Sequence, residues 1–279
     1  MRIGVDLGGT NLRIGLLDGG KIIRNETSPS PGRKMALEEG LEYFIKSIRD
    51  VAGPGAENLE GIGIGVPSIV DSAKGIIYDM VNIPCWKCVP IKELVEKALG
   101  ARVEINNDAN CFALAEREFG CAKGYDDIVG ITLGTGVGAG IIADGKLYEG
   151  ANVCAGEIGY IPYLDSHYEA YCASYFFERE HKTSAKEAFL HAGRGEEGAL
   201  QIWKEYGHHL GNLLKVIMYA YDPACIVLGG SISQAYDYFR DSLRDEMSSF
   251  LYSKALDKIA IKVSELENPG ILGAASLIK

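Results

Sequence analysis

Ile128-Val-Gly-Ile-Thr-Leu-Gly-Thr-Gly-Val-Gly-Ala-Gly-Ile-Ile-Ala-Asp-Gly-Lys-Leu147 is a strand, a glycine turn, a second strand and an Asp-Gly hairpin turn into a third strand. The stretch Arg2 to Ile23 has the same design, with Asp6-Leu-Gly-Gly-Thr10 as its glycine turn and Asp18-Gly19 as its hairpin signal. Leu7-Gly8 aligns with Leu133-Gly134, and Asp18-Gly19 with Asp144-Gly145, at one constant offset. A unit of this kind occurring twice predicts two related α/β halves. A site shared between such halves would lie in a cleft, where pockets are commonest. Either glycine turn alone reads equally well as a plain hairpin; the matched pair carries the argument.

Glycines in such turns let the backbone approach a ligand and present N–H groups without a side chain in the way. Asp6 adds a carboxylate beside the first nest, suited to Mg²⁺ directly or through water. Between the two units lies Val103-Glu-Ile-Asn-Asn-Asp-Ala-Asn-Cys-Phe-Ala-Leu-Ala-Glu116. It opens as a strand at Val103 and Ile105, turns at Asn106-Asn107, and continues as a helix with Ala109, Phe112, Ala113 and Ala115 on its apolar side. Asp108 therefore stands near the carboxyl end of a strand, where open α/β sheets bind their ligands. An isolated Asn-Asp before a helix is more often a cap. With a glycine turn on each side, Asp108 reads instead as a catalytic carboxylate. The division expected is an N-terminal α/β domain over 1–107, with a C-terminal helix 270–279 packed back on it, and a second α/β domain over 108–269.

The rest of the chain fits this plan. Met35 to Ala52 has Leu37, Leu41, Phe44, Ile45 and Ile48 at helical spacing, and Gly61 to Pro67 reads as a buried strand. Asn82 lies in a loop, and Ile91 to Leu99 is a short helix. Further helices are expected from Ser184 to Ala192 and from Glu197 to Tyr221. Cys225 to Ser233 is a strand entering the Gly229-Gly230 turn; it reads as a seat for a nucleotide base or ribose, or as an ordinary βα turn. Gly270 to Leu277 is a small-residue helix.

At 279 residues there is room for two domains with separate cores. The net charge of −10, with no run of Lys or Arg, argues against a nucleic-acid partner, and no uninterrupted apolar run is long enough to span a bilayer. Seven cysteines with no signal peptide before the strand at Arg2 predict reduced thiols in a cytoplasm. Cys85 and Cys88 have CxxC spacing without a second pair and read as incidental thiols, and His208-His209 is expected to face solvent from a helix.

With these residues in hand, the chain resembles the ROK family of sugar kinases, within the actin/hexokinase-like ATPase superfamily. Asp6-Leu-Gly-Gly-Thr10 and Leu133-Gly-Thr-Gly-Val-Gly138 are similar to its two phosphate motifs, Asn107-Asp108-Ala109-Asn110 to its catalytic segment, and Val227-Leu-Gly-Gly230 to its adenosine motif. The resemblance implies two RNase H-like domains with a central cleft, and phosphorylation of a hexose or N-acetylhexosamine by ATP and Mg²⁺. It implies Asp108 as general base, with Asn107, Glu157, Glu169 and Asn82 meeting the sugar. ATP would meet Asp6, Gly8, Gly9, Thr10, Asn11, Gly134, Thr135, Gly136, Gly138, Gly229 and Gly230. The partners implied are a small sugar and ATP, with no nucleic acid or membrane; a homodimer stays open. The alternatives are a non-catalytic sugar-binding regulator on the same fold, which an intact Asp108 and an acidic chain disfavour, and an ATPase acting on a non-sugar. One departure stands out. Most members follow the sugar-binding glutamate with a His and then a cysteine cluster that holds a structural zinc. Here the His position is Tyr160, and Ile161 to Tyr168 holds no cysteine. No structural zinc is expected, the apolar residues Ile161, Pro162, Tyr163 and Leu164 are expected to hold the loop, and Tyr160 is expected to reshape the sugar site.

Overall fold

In the computed structural model, residues 1–32, 35–78, 80 and 83–279 are described. The N-terminal meander forms β1 (Arg2–Leu7), β2 (Asn11–Asp18) and β3 (Lys21–Pro29), paired antiparallel in sequence. Helix α1 (Leu37–Ala52) follows, burying Phe44, Ile48 and Val51. Its Glu38 and Glu39 sit in the first turn and Arg49 in the last, each complementing the helix dipole. Strand β4 (Gly61–Val66) enters parallel to β1 and is buried along its whole length. A short hairpin, β5 (Val70–Asp71) and β6 (Ile76–Ile77), and helix α2 (Ile91–Leu99) lead to β7 (Val103–Asn107), parallel to β4, and to α3 (Asp108–Glu118). The sheet order is β3-β2-β1-β4-β7.

The second sheet repeats this plan. Strands β8 (Ile128–Leu133), β9 (Val137–Ala143) and β10 (Lys146–Leu147) form the antiparallel meander. A small hairpin, β11 (Pro162–Tyr163) and β12 (Ser166–His167), precedes helices α4 (Tyr168–Cys172), α5 (Ser174–His181), α6 (Ala185–Ala192) and α7 (Glu197–Tyr221). Strand β13 (Cys225–Gly229) runs parallel to β8; α8 (Tyr236–Met247), α9 (Ser253–Leu256) and β14 (Ala260–Val263), parallel to β13, complete the unit. The order β10-β9-β8-β13-β14 is the first sheet's order again, so the duplicated sequence unit is a duplicated topology, two RNase H-like α/β halves. Helix α7 carries the apolar face of this half, with Trp203, Tyr206, Leu210, Leu213, Leu214 and Ile217 buried.

The chain divides into Met1–Gly120 with Glu149–Cys154 and Leu266–Lys279, and Cys121–Tyr148 with Ala155–Glu265. The boundary thus follows α3 rather than Asn107. The reason is packing: a Cβ on Gly273 would lie 1.8 Å from the Cys111 carbonyl oxygen, so α3 touches the C-terminal helix Pro269–Ala275 backbone to backbone. That helix also lies on the first sheet, where a Cβ at Gly63 would come within 1.7 Å of the Ala274 oxygen and one at Gly4 within 2.0 Å of the Ile271 oxygen. Only glycine permits so close an approach of helix and strand backbones. Among the described residues, no helix is long and apolar enough to cross a membrane.

Candidate active site

In the first unit, β7 runs through Asn107 before the helix begins, so the turn expected at Asn106-Asn107 falls within the strand end. Asn107 is the cap of α3: its Oδ1 accepts the Ala109 N–H at 2.8 Å. Asp108 Oδ1 accepts the same N–H at 2.8 Å, and the Asp108 side chain is exposed at the head of the helix. Asn107 Nδ2 reaches the Ser68 carbonyl only at 3.4 Å.

Behind this turn lies a network of amides. Buried Asn106 accepts the Asn107 N–H and Asn110 Nδ2, both at 2.8 Å, and donates from its own Nδ2 to Glu149 Oε1 at 2.9 Å. Sequence reasoning missed Asn106 and Glu149; the only hint was the density of Asn over residues 106–110.

The register of β1 with β2 sets Asp6 opposite Arg13, whose Nη1 donates to Asp6 Oδ2 at 3.0 Å. Burial raises the Asp6 carboxyl above its ordinary pKa, and Arg13 opposes that shift. Beside it, the Gly8 N–H donates to the Asn11 oxygen at 2.9 Å, Ser30 Oγ donates to the Gly8 oxygen at 2.6 Å, and Gly9 and Thr10 are exposed. Asp6 and Asp108 converge on buried Cys111: burial, then the charge of Asp108, then that of Asp6, hold its thiol well above the ordinary range. Asn82 lies outside the described residues.

In the second unit, Glu157, Tyr160, Glu169 and the Gly134–Gly138 turn come together. Glu169 Oε2 accepts the Val137 N–H at 2.9 Å. The turn is also closed by Gly134 N–H to the Gly136 oxygen at 3.1 Å and by Ser174 N–H to the Gly134 oxygen at 2.8 Å; Thr135 is exposed at its tip, and Gly138 pairs with Thr132 across the strands. Burial and then the Glu169 charge raise the Glu157 carboxyl. Tyr160 is 63% exposed, its ring centroid 5.4 Å from that of His167, and its phenol is raised first by Glu169. Gly229 ends β13, and Gly230, at φ +85°, lies so close to β8 that a Cβ would sit 2.2 Å from the Leu133 oxygen. That brings the Gly229-Gly230 turn against the residue preceding Gly134.

Cys172 ends the helix that carries Glu169, and burial raises its thiol. Two expectations change around this loop. Ile161 and Leu164 are 37% and 69% exposed, so they do not hold the loop; Tyr163 does, through the rings of Tyr168 and Tyr171. His209 does not face solvent: it packs beside Tyr163, Tyr171 and Phe176, and burial lowers its pKa.

Comparison with known proteins gives a match to the ROK family over residues 2–279. The glucokinase of Thermotoga maritima is 30% identical, with 99% of this chain and 96% of that protein covered. The N-acetyl-D-glucosamine kinase of Vibrio cholerae is 28% identical, covering 99% of each. A crystal structure of a ROK family glucokinase from Streptomyces griseus, in complex with glucose and AMPPNP, superposes with a TM-score of 0.83 at 26% identity, covering 99% of this chain and 98% of that one.

Proposed function

This chain belongs to the ROK family, and from that premise we propose that it is an ATP-dependent sugar kinase, transferring the γ-phosphoryl group of ATP to a hydroxyl of a hexose or N-acetylhexosamine. The observation that carries the reading is the placement of the two side chains at the head of α3. Asn107, at the end of β7, supplies the helix cap, and Asp108 follows it as an exposed carboxylate on the first residue of α3, at the carboxyl end of a strand where α/β sheets bind their ligands.

In this reading Asp108 accepts the proton of the attacking sugar hydroxyl as the oxygen bonds to the γ-phosphorus and ADP departs. Asn107, whose amide is only loosely engaged at 3.4 Å, orients a hydroxyl; Glu157 and Glu169 accept hydrogen bonds from others, and Tyr160 borders them. The backbone at Gly8, Gly9, Thr10 and Asn11, and at Gly134, Thr135, Gly136 and Gly138, faces the phosphates, while Gly229 and Gly230 serve the nucleoside. Phosphoryl transfer asks chiefly for positioning and charge stabilisation, which such turns provide.

Asp6 fits a magnesium ion held directly or through water. Its Oδ1 accepts no hydrogen bond among the described residues, and its Arg13 partner is partly exposed. When bound, Mg²⁺ supplies charge compensation at the phosphates. The test is ADP release by purified protein with Mg·ATP across a panel of hexoses, N-acetylhexosamines and ketoses. Sugar-dependent ADP release with a phosphorylated product is expected; its absence across the panel would overturn the reading.

A further inference from the structure

The chain from Glu157 to Glu169 is one excursion: a single helical turn Ile158–Tyr160, the hairpin β11–β12, and entry into α4. Two-residue strands cannot hold themselves in place. The hairpin is fastened through Tyr163. Its ring stacks on Tyr168 at 4.3 Å and 14° and meets Tyr171 edge-on at 5.3 Å. Its hydroxyl lies 3.1 Å from His209 Nδ1.

His209 projects from α7, the long helix of the core, with its ring 4.8 Å from Tyr171 and 5.5 Å from Phe176. Burial disfavours the imidazolium and, separately, the phenolate of Tyr163, so the phenol keeps its proton and donates it to a neutral ring nitrogen. At the hairpin tip, Asp165 accepts from Arg179 at 2.7 Å and from the Tyr171 hydroxyl. The middle of the excursion is thus bolted to rigid helices, while its two ends carry Glu157 and Glu169.

We infer that Tyr163 and His209 form a positioning pair: their hydrogen bond, with the stack on Tyr168, sets where Glu169 and Glu157 stand against the Gly134–Gly138 turn, and thereby the grip on the sugar. The last step rests on the assignment of those glutamates to the sugar under Proposed function. The pair touches neither the sugar nor the phosphate in this account. It acts through α4, whose Glu169 holds the Val137 N–H.

Two measurements separate the pair's role from the sugar assignment. The first is amide exchange at Val137 by NMR without substrate, on the wild type, Tyr163→Phe, which keeps the stack but loses the hydroxyl, and His209→Gln, which keeps an acceptor. Tyr163→Phe should accelerate Val137 exchange about tenfold, and His209→Gln by less than about threefold. Unchanged exchange in Tyr163→Phe would overturn the proposal.

The second is steady-state kinetics on Tyr163→Phe, His209→Leu and Glu169→Gln. Loss of one hydrogen bond should raise the sugar KM about five- to tenfold in the first two, with kcat within about threefold and the ATP KM within about twofold of wild type. Sugar and ATP KM rising together would mark a general loss of structure and overturn the proposal. Accelerated exchange in Tyr163→Phe alongside an unchanged sugar KM in Glu169→Gln would leave the positioning pair standing and remove Glu169 from the sugar.

Discussion

Gly136→Ala tests how the second glycine turn and Glu169 depend on each other. The backbone of Gly136 is not left-handed, so alanine brings no φ penalty. Its cost comes from one contact: the new Cβ would stand 2.6 Å from Glu169 Oε2 and 3.4 Å from Cδ. Ordinary contact begins near 3.4 Å, so the carboxylate must retreat by about 0.8 Å. The 2.9 Å bond from the Val137 N–H then stretches to roughly 3.7 Å, which is no longer a hydrogen bond. A charge-assisted bond of this kind contributes about 1.5–3 kcal/mol. Spent on sugar binding and orientation, that is a loss of about 10- to 100-fold in kcat/KM for the sugar. Glu169 is only partly buried, so water can take over the vacated positions, and unfolding free energy should fall by less than about 1 kcal/mol. The assay is kcat/KM for the best sugar beside a thermal melt. Gly134→Ala serves as the comparison, because its Cβ meets nothing within 4 Å; it should melt like wild type and act on the ATP KM instead. If Gly136→Ala retained a sugar kcat/KM within about twofold of wild type with an unchanged melt, the link between turn and glutamate would be refuted.

Asp108→Asn should lower kcat by about 10²–10⁴-fold while calorimetric titration shows sugar and ATP binding close to wild type; a variant keeping most of its turnover removes Asp108 as the base. Tyr160→His should change the ranking of sugars by kcat/KM, and an unchanged ranking would mean that the exposed phenol does not meet the substrate. The lowered pKa of His209 gives a pH signature. The unfolded chain takes a proton near the ordinary value of 6.5 and the folded chain only below it, so stability drops as pH falls from 6.5 toward the folded pKa. Chemical denaturation between pH 7 and 5 should show a smaller acid loss in His209→Gln than in wild type, and equal losses would disprove the linkage. Protein purified without added metal should carry no stoichiometric zinc by elemental analysis; one zinc per chain would contradict an aromatic fastening of the hairpin.

Much of the fold was legible because it rests on short-range chemistry repeated twice. Glycine turns, Asp-Gly hairpins and helical periodicity located β1–β3, β8–β10, α1 and α7, and the Asn-Asn-Asp run located the head of α3. The domain boundary was not legible: whether α3 belongs with the strands before it depends on Gly273 meeting Cys111, a contact across more than half the chain. The amide network had the same character, since Asn106 finds Glu149 far along the sequence. His209 was misjudged because a polar residue on a helix is exposed by default, and only the arrival of Tyr163, Tyr171 and Phe176 from other segments buries it. In the loop between the glutamates, hydrophobicity pointed to Ile161, Pro162, Tyr163 and Leu164 alike; of these Tyr163 packs, on the ring of Tyr168, while Ile161 and Leu164 are exposed, because a ring that stacks and hydrogen-bonds at once gains more from burial there.

The backbone contact of Gly4 and Gly63 with the helix Pro269–Ala275 has a consequence for the order in which a ribosome can deliver this fold. The first sheet is threaded early, yet its apolar underside stays uncovered until Ile271 and Ala274 arrive. The second unit needs nothing beyond Glu265 and so has all its parts while the first still waits. Nascent-chain folding should therefore invert the usual N-to-C sequence of events. A chain truncated after Glu265 and released should protect 155–265 from protease and leave β1 to β4 open to cleavage, and mutations that weaken the helix at Gly273 should show first as chaperone dependence during synthesis.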